Sequence, residues 1–211
     1  MTAVESFRAH LAECPLVAII RGVTPAEVEG IGAALLDAGF RIIEVPLNSP
    51  EPLVSIERLA TLAGDRATIG AGTVLAVDDV RRVRDAGGRI IVSPGTDPQV
   101  IAATAAAGLV ASPGYFTPSE AFTAIKAGAH ALKLFPAEAA GPAVVKAQLA
   151  VLPRDIPLIV VGGIRPDNMR PYVEAGAAGF GLGSRLYRPG LLAGEVAANA
   201  RAFVAAVREL R

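Results

Sequence analysis

Short apolar runs alternate with capped helical stretches along this chain, and the rhythm of that alternation restricts the fold more than any single motif. Five Ala-Gly pairs punctuate it: Ala38-Gly39, Ala86-Gly87, Ala107-Gly108, Ala127-Gly128 and Ala175-Gly176. Their separations are 48, 21, 20 and 48 residues, as for a repeating unit of roughly 20–24 residues in which some pairs are missing. Glycine there fits the left-handed cap that ends a helix before a tight turn into a strand. The intervening runs Val17–Ile20, Arg41–Leu47, Thr68–Thr73, Arg89–Val92, Leu109–Ala111, His130–Pro136, Leu158–Val161 and Gly179–Leu182 read as eight strands. The fifth is expected to stop at Ser112-Pro113-Gly114.

Residues 2–13 read as a leading amphipathic helix with Val4, Phe7, Ala9 and Leu11 on its apolar side. Later helices are announced by Thr24-Pro25-Ala26-Glu27, Asp97-Pro98-Gln99 and Thr117-Pro118-Ser119-Glu120, each a cap residue followed by an N1 proline. Others are expected over Glu51–Ala63, Val77–Ala86, Pro142–Leu152, Pro166–Ala175 and Leu192–Leu210. Eight apolar strands alternating with helices imply a parallel sheet covered on its outer face. The expected fold is therefore α/β, a single-domain (β/α)8 TIM barrel with a short N-terminal helix, over residues 1–211. An open doubly wound sheet is the alternative, but nothing would stop it at eight units.

Composition excludes several function classes. Of 211 residues 52% are hydrophobic, ample for a large core, and formal charge balances at zero, so no nucleic-acid partner is expected. A small anionic substrate needs only a few local donors. Cys14 is the only cysteine, and His10 and His130 form no ligand-spaced cluster, which argues against an internal disulfide and against catalytic zinc. Neither a signal peptide nor a membrane span is visible; the Ile101–Ala111 region is broken by Thr104 and Gly108. A cytoplasmic protein is the expectation.

Chemistry enters at Lys133. In His130–Pro136 the alternation puts Leu132 and Leu134 on one face and Ala131, Lys133 and Phe135 on the other. The chain carries 17 arginines and only three lysines, so a lysine inside an apolar strand stands out. Arginine cannot shed its proton, whereas a desolvated lysine becomes a neutral amine that adds to carbonyls and forms imines. A lysine that snorkels to water from an edge strand is the other reading. Arg21, Glu44 and Thr73 also fall at C-terminal ends of strands, where such barrels place their active sites. Glu44 with Lys133 is either an acid/base beside an amine or a buried ion pair with no chemistry. Gly162-Gly163 after the seventh strand and Gly183-Ser184 after the eighth lie at the usual barrel phosphate site, where bare N–H groups approach an anion.

Taken together, Glu44 in its strand, Gly70-Ala71-Gly72-Thr73, Pro113-Gly114 with Thr117-Pro118-Ser119-Glu120, and Leu132-Lys133-Leu134-Phe135-Pro136 resemble the 2-keto-3-deoxy-6-phosphogluconate aldolase family. Gly162-Gly163-Ile164 and Gly183-Ser184 continue the likeness, which runs from about Pro15 to Gly190. The resemblance implies a Schiff-base aldolase with Lys133 as the imine-forming amine and Glu44 as the acid/base. It implies substrate contacts from Arg21, Thr73, Pro94 and Phe135, and phosphate held by Gly162, Gly163, Gly183 and Ser184. It further implies a homotrimer that needs neither metal nor organic cofactor.

Two departures refine the substrate. Where the gluconate branch carries Thr-Leu-Arg-Thr after its glutamate, this chain has Pro46-Leu47-Asn48-Ser49-Pro50, and Val161 replaces the threonine before Gly-Gly. Both features, with Ile19-Ile20-Arg21-Gly22, are similar to the branch acting on 2-dehydro-3-deoxy-6-phosphogalactonate. Without an arginine at position 48, Arg21 is expected to bind the carboxylate or carbonyl end. The expected reaction is cleavage of that sugar acid to pyruvate and D-glyceraldehyde 3-phosphate. The C4 epimer, a phosphosugar isomerase or decarboxylase on the same barrel, and a non-catalytic phosphosugar-binding protein are the alternatives.

Overall fold

The structure, a computed structural model, describes residues 1–210. Its elements run α1 (Ala3–Glu13), β1 (Leu16–Ile19), α2 (Val28–Ala38), β2 (Ile42–Pro46), α3 (Pro52–Ala63), β3 (Thr68–Gly72), α4 (Val77–Asp85), β4 (Ile90–Val92) and α5 (Pro98–Ala106). They continue β5 (Val110–Ser112), β6 (Gly114–Tyr115), α6 (Pro118–Lys126), β7 (Leu132–Leu134), α7 (Pro142–Leu149), β8 (Leu158–Val161), α8 (Arg170–Glu174), β9 (Gly179–Leu182) and α9 (Ala193–Arg208).

All strand pairs are parallel, in the order β5-β4-β3-β2-β1-β9-β8-β7-β6. Only Pro113 separates β5 from β6, and the two are halves of one stave. Its first half pairs with β4 (Val92↔Ser112) and its second with β7 (Gly114↔Lys133), so the ring closes as the expected eight-stave barrel. The fifth strand therefore runs on to Tyr115 instead of stopping at the proline. Pro113 lacks an N–H, but its carbonyl accepts from the Lys133 amide at 2.9 Å, while the Gly114 amide donates to the Ser93 carbonyl at 3.0 Å. A proline is tolerated where its missing donor is not needed by the ladder.

Alternation divides the apolar residues into two shells. Val17, Ile19, Ile42, Ile90, Val92, Val110, Ala131, Ile159 and Val161 fill the barrel interior, joined from below by Phe7 and Leu11 of α1. Their strand neighbours Ala18, Ile43, Ile91, Ala111, Leu132, Val160 and Phe180 pack outward against the helices. Helix α1 is thus a plug for the N-terminal end. Its buried residues are Phe7, His10 and Leu11; Ala9 is exposed, contrary to the expected apolar side. His10 goes inward because its Nδ1 meets Thr68 Oγ1 at 2.9 Å under the barrel floor.

Local signals hold at most helix ends. All five Ala-Gly glycines have φ between 71° and 108°. Thr117 and Glu120 cap each other's amides, and Asp97 accepts from Gln99 and Val100. The box at Thr24 does not form: α2 starts at Val28, and the Glu27 carboxylate instead accepts the hydroxyl of buried Tyr187. A buried phenol needs an acceptor, and that need outranks a local cap. The helix expected over Pro166–Ala175 is split into a 3₁₀ turn (Pro166–Asn168) and α8, where Pro171 cannot continue an i→i−4 ladder. Helix α7 ends at Leu149, short of Leu152.

Candidate active site

At the C-terminal mouth the barrel interior stops being purely apolar. Lys133 projects inward from β7 with Ala131, while Leu132 and Leu134 face the helices. It is 8% exposed, so it does not snorkel to bulk water. Glu44, inward from β2, is 1% exposed. Burial lowers the Lys133 amine from its usual range, the Glu44 charge offsets part of that, and Arg21 lowers it further. Burial likewise lifts the Glu44 carboxyl to about 7, with Lys133 and Arg21 pulling the other way. Among the described residues the two make no direct ion pair and Glu44 Oε2 has no hydrogen-bond partner. A buried ion pair would have satisfied both groups. Instead an amine whose proton burial makes easier to lose shares the barrel interior with a carboxyl lifted to about 7, a pairing suited to carbonyl addition.

Glycine makes this arrangement fit. A Cβ on Gly72 would stand 1.8 Å from Glu44 Oε2, so any larger residue on β3 would displace the carboxylate. The next residue, Thr73, has φ 56°, a strained value for a β-branched side chain. There its hydroxyl accepts from Arg21 Nη1 at 3.3 Å, and the same nitrogen donates to Asn48 Oδ1. The loop carrying Arg21 is pinned once more by the Gly22 amide donating to Ser49 Oγ at 2.9 Å. The ends of β1, β2 and β3 thereby hold one guanidinium at the rim.

The remaining expected residues divide. The Phe135 ring lies with its centroid 5.0 Å from Lys133 Nζ, a cation–π distance, and is 37% exposed. Pro94 is exposed beyond β4, its carbonyl seated closely on Gly114. Gly162, Gly163, Gly183 and Ser184 follow β8 and β9, and among the described residues none of their main-chain N–H groups donates a hydrogen bond. Glu138 rests against this turn, with its Oε2 2.1 Å from where a Gly162 Cβ would be.

Four participants escaped sequence reasoning: Asn48 and Ser49 as supports of the Arg21 loop, Gly72 as clearance for Glu44, and Ser112, a hydroxyl in the interior at 2% exposure. Ser112 alone had a signal, a polar residue two positions after inward Val110. Beneath the mouth, Glu44, Lys133 and Ser112 share a cavity of about 10 Å³ with Ile19, Val92 and Val161. Larger hollows of about 650 and 730 Å³ lie at the N-terminal end and beside α9, but neither contains the desolvated lysine and carboxyl. His10 and His130 are held by Thr68 and by the Ala111 amide, and no group of three His, Cys, Asp or Glu among the described residues is placed to hold a metal ion.

The family model for KDPG and KHG aldolase matches residues 7–201. The chain belongs to the KDPG and KHG aldolase family. Within that family it is 49% identical over 194 residues to a probable 2-dehydro-3-deoxy-6-phosphogalactonate aldolase of Rhizobium meliloti (strain 1021), covering 92% of each chain. It is 47% identical over 195 residues to the 2-dehydro-3-deoxy-6-phosphogalactonate aldolase of Escherichia coli (strain K12), covering 92% of this chain and 95% of the relative. A solved structure described as native KDPGal superposes with a TM-score of 0.92 at 46% identity, over 94% of this chain and 96% of that one. The resemblance drawn from the motifs is thus borne out over nearly the whole chain, and the aldolase barrel is the frame in which Lys133 and Glu44 meet.

Proposed function

We propose that this aldolase, working as one barrel domain over residues 1–211, cleaves 2-dehydro-3-deoxy-6-phosphogalactonate to pyruvate and D-glyceraldehyde 3-phosphate through an imine on Lys133. The observation that carries the reading is the buried, unpaired Lys133 amine sharing the barrel interior with a Glu44 carboxyl whose pKa lies near 7. The neutral amine adds to the C2 ketone, and the Glu44 proton leaves with the carbinolamine hydroxyl as water. The carboxylate so formed takes the C4 hydroxyl proton as the C3–C4 bond breaks, with the cationic imine receiving the electron pair. Protonation at C3 and hydrolysis then release pyruvate.

Arg21, fixed by Asn48 and Thr73, is the group for the carboxylate end, with Phe135 beside the amine and Pro94 at the rim. Phosphate is assigned to the free N–H groups of Gly162, Gly163, Gly183 and Ser184. The galactonate epimer is favoured by Asn48 in place of an arginine and by apolar Val161 before the turn, together with the names of the two relatives. The same reading includes a homotrimer, a role in galactonate catabolism, and a cytoplasmic site of action, where a phosphorylated acid is retained by its charge. No helix among the described residues is long and apolar enough to cross a membrane.

Turnover of the two C4 epimers, followed by pyruvate release, tests the substrate. The galactonate epimer should be cleaved faster, with some cross-activity; a clear preference for the gluconate epimer would reverse the assignment. Lys133→Arg keeps the charge but cannot form an imine, so cleavage should fall about a thousand-fold or more while the circular dichroism spectrum is kept.

A further inference from the structure

Arg21 and the Gly183-Ser184 turn leave neighbouring staves. The β1–β9 ladder ends at Ala18↔Leu182, and beyond it the two strands send out separate loops. Among the described residues no main-chain hydrogen bond joins residues 20–27 to residues 183–192. Side chains make the join instead. The Tyr187 hydroxyl donates to the Glu27 carboxylate. Beside it the Pro189 ring lies on Gly22, where a Cβ would stand 2.7 Å from Pro189 Cγ.

Each half of this clamp is tied to a group already assigned to the substrate. On the β1 side, the Glu27 and Val28 amides both donate to the Thr24 carbonyl, at 3.2 and 3.1 Å, in the loop that carries Arg21. On the β9 side, the Leu186 and Tyr187 amides both donate to the Gly183 carbonyl, at 2.8 and 3.0 Å, so Tyr187 cannot move without the turn. Tyr187 is 2% exposed, and burial together with the Glu27 charge raises its phenol above the ordinary range, which keeps it a donor. A carboxylate acceptor makes that bond stronger than the neutral oxygen that would have satisfied a buried phenol.

We propose that Tyr187 and Glu27 are positioning residues that set the spacing between Arg21 and the Gly183-Ser184 turn, and so make the barrel selective for a keto acid with an anion at each end. The proposal rests on the reading above, which gives the carboxylate to Arg21 and the phosphate to the glycine turns. A chain of fixed length gains from both anchors only when they stand at the distance its length dictates. Slack between the two loops would have to be frozen out on binding, at the expense of affinity. Pyruvate engages the Arg21 end alone and is indifferent to the spacing.

Tyr187→Phe keeps the ring and removes only the hydroxyl. In the direction of aldol addition, its KM for D-glyceraldehyde 3-phosphate should rise about ten-fold with kcat little changed. The rate with unphosphorylated D-glyceraldehyde should stay at the wild-type value, as should exchange of the pyruvate methyl protons with deuterated water, followed by proton NMR. Glu27 makes no side-chain cap on α2, so its substitution leaves the helix start intact. Glu27→Ala should reproduce the Tyr187→Phe loss, whereas Glu27→Gln keeps an oxygen acceptor and should retain most of the preference for the phosphorylated aldehyde. An unchanged ratio between the two aldehydes in Tyr187→Phe, whatever its melting temperature, would overturn the proposal and leave the pair a packing contact. A wild-type protein indifferent to the phosphate would strike at the phosphate assignment beneath it. One that pyruvate and borohydride fail to label would strike at the imine.

Discussion

Glu44 carries its proton up to about pH 7 because its ionised form has almost no water and no hydrogen bond for one of its oxygens. That has a consequence for stability. The folded-state value lies above the 4.5 of the free side chain, so the folded protein binds more protons than the unfolded chain between about pH 4.5 and 7. The contribution is complete below 4.5 and is lost as pH rises through 7. Denaturant midpoints of wild type and Glu44→Gln, compared across that window, should show wild type losing ground at up to about 1.4 kcal/mol per pH unit. A constant difference would mean that the carboxyl is solvated. Beside it, Gly72→Ala should cost both stability and turnover, since the new methyl occupies the place of Glu44 Oε2. Asn48→Ala should raise KM about three- to ten-fold with little change in kcat, because Arg21 keeps its charge and Thr73 but loses one of its two hydrogen-bond acceptors. Lys133 and Glu44 were legible in the sequence because a charge inside an apolar alternation is conspicuous. Gly72 and Asn48 were not, because clearance and hydrogen bonding between separate loops arise only when β1, β2 and β3 stand side by side.

At the level of elements, strand and helix order followed from periodicity and punctuation, and the errors fall where long-range partners overrule local signals. Thr24 lost its cap partner to Tyr187, which lies 160 residues from Glu27. The stave spanning Val110–Tyr115 passed through a proline because its two flanks pair with different neighbours. Ala9 faces solvent because the turn of α1 that enters the barrel presents Phe7, His10 and Leu11. Phe7 is 0% exposed and fills the floor below the inward valines and isoleucines. Phe7→Ala should therefore lower unfolding free energy by about 3–5 kcal/mol in a chemical melt. A change below about 1 kcal/mol would mean that α1 is a surface appendage.

For the whole molecule, parallel closure sends every inward C-terminal strand end to one rim and leaves α1 to seal the other. That geometry brings residues as distant as Arg21, Glu44, Thr73 and Lys133 to a single mouth, although no stretch of sequence holds more than one of them. With formal charge at zero, the proposed binding of an anionic substrate relies on this local assembly of guanidinium, amine and free main-chain N–H groups, not on a long-range field. The claim on which the rest depends is that the Lys133 amine forms a covalent imine with the keto acid. Incubation with pyruvate and borohydride, followed by peptide mass analysis, tests it directly. The peptide containing Lys133 should gain the mass of one reduced pyruvate, with loss of activity in proportion. An unmodified Lys133 in protein that still cleaves substrate would contradict the account.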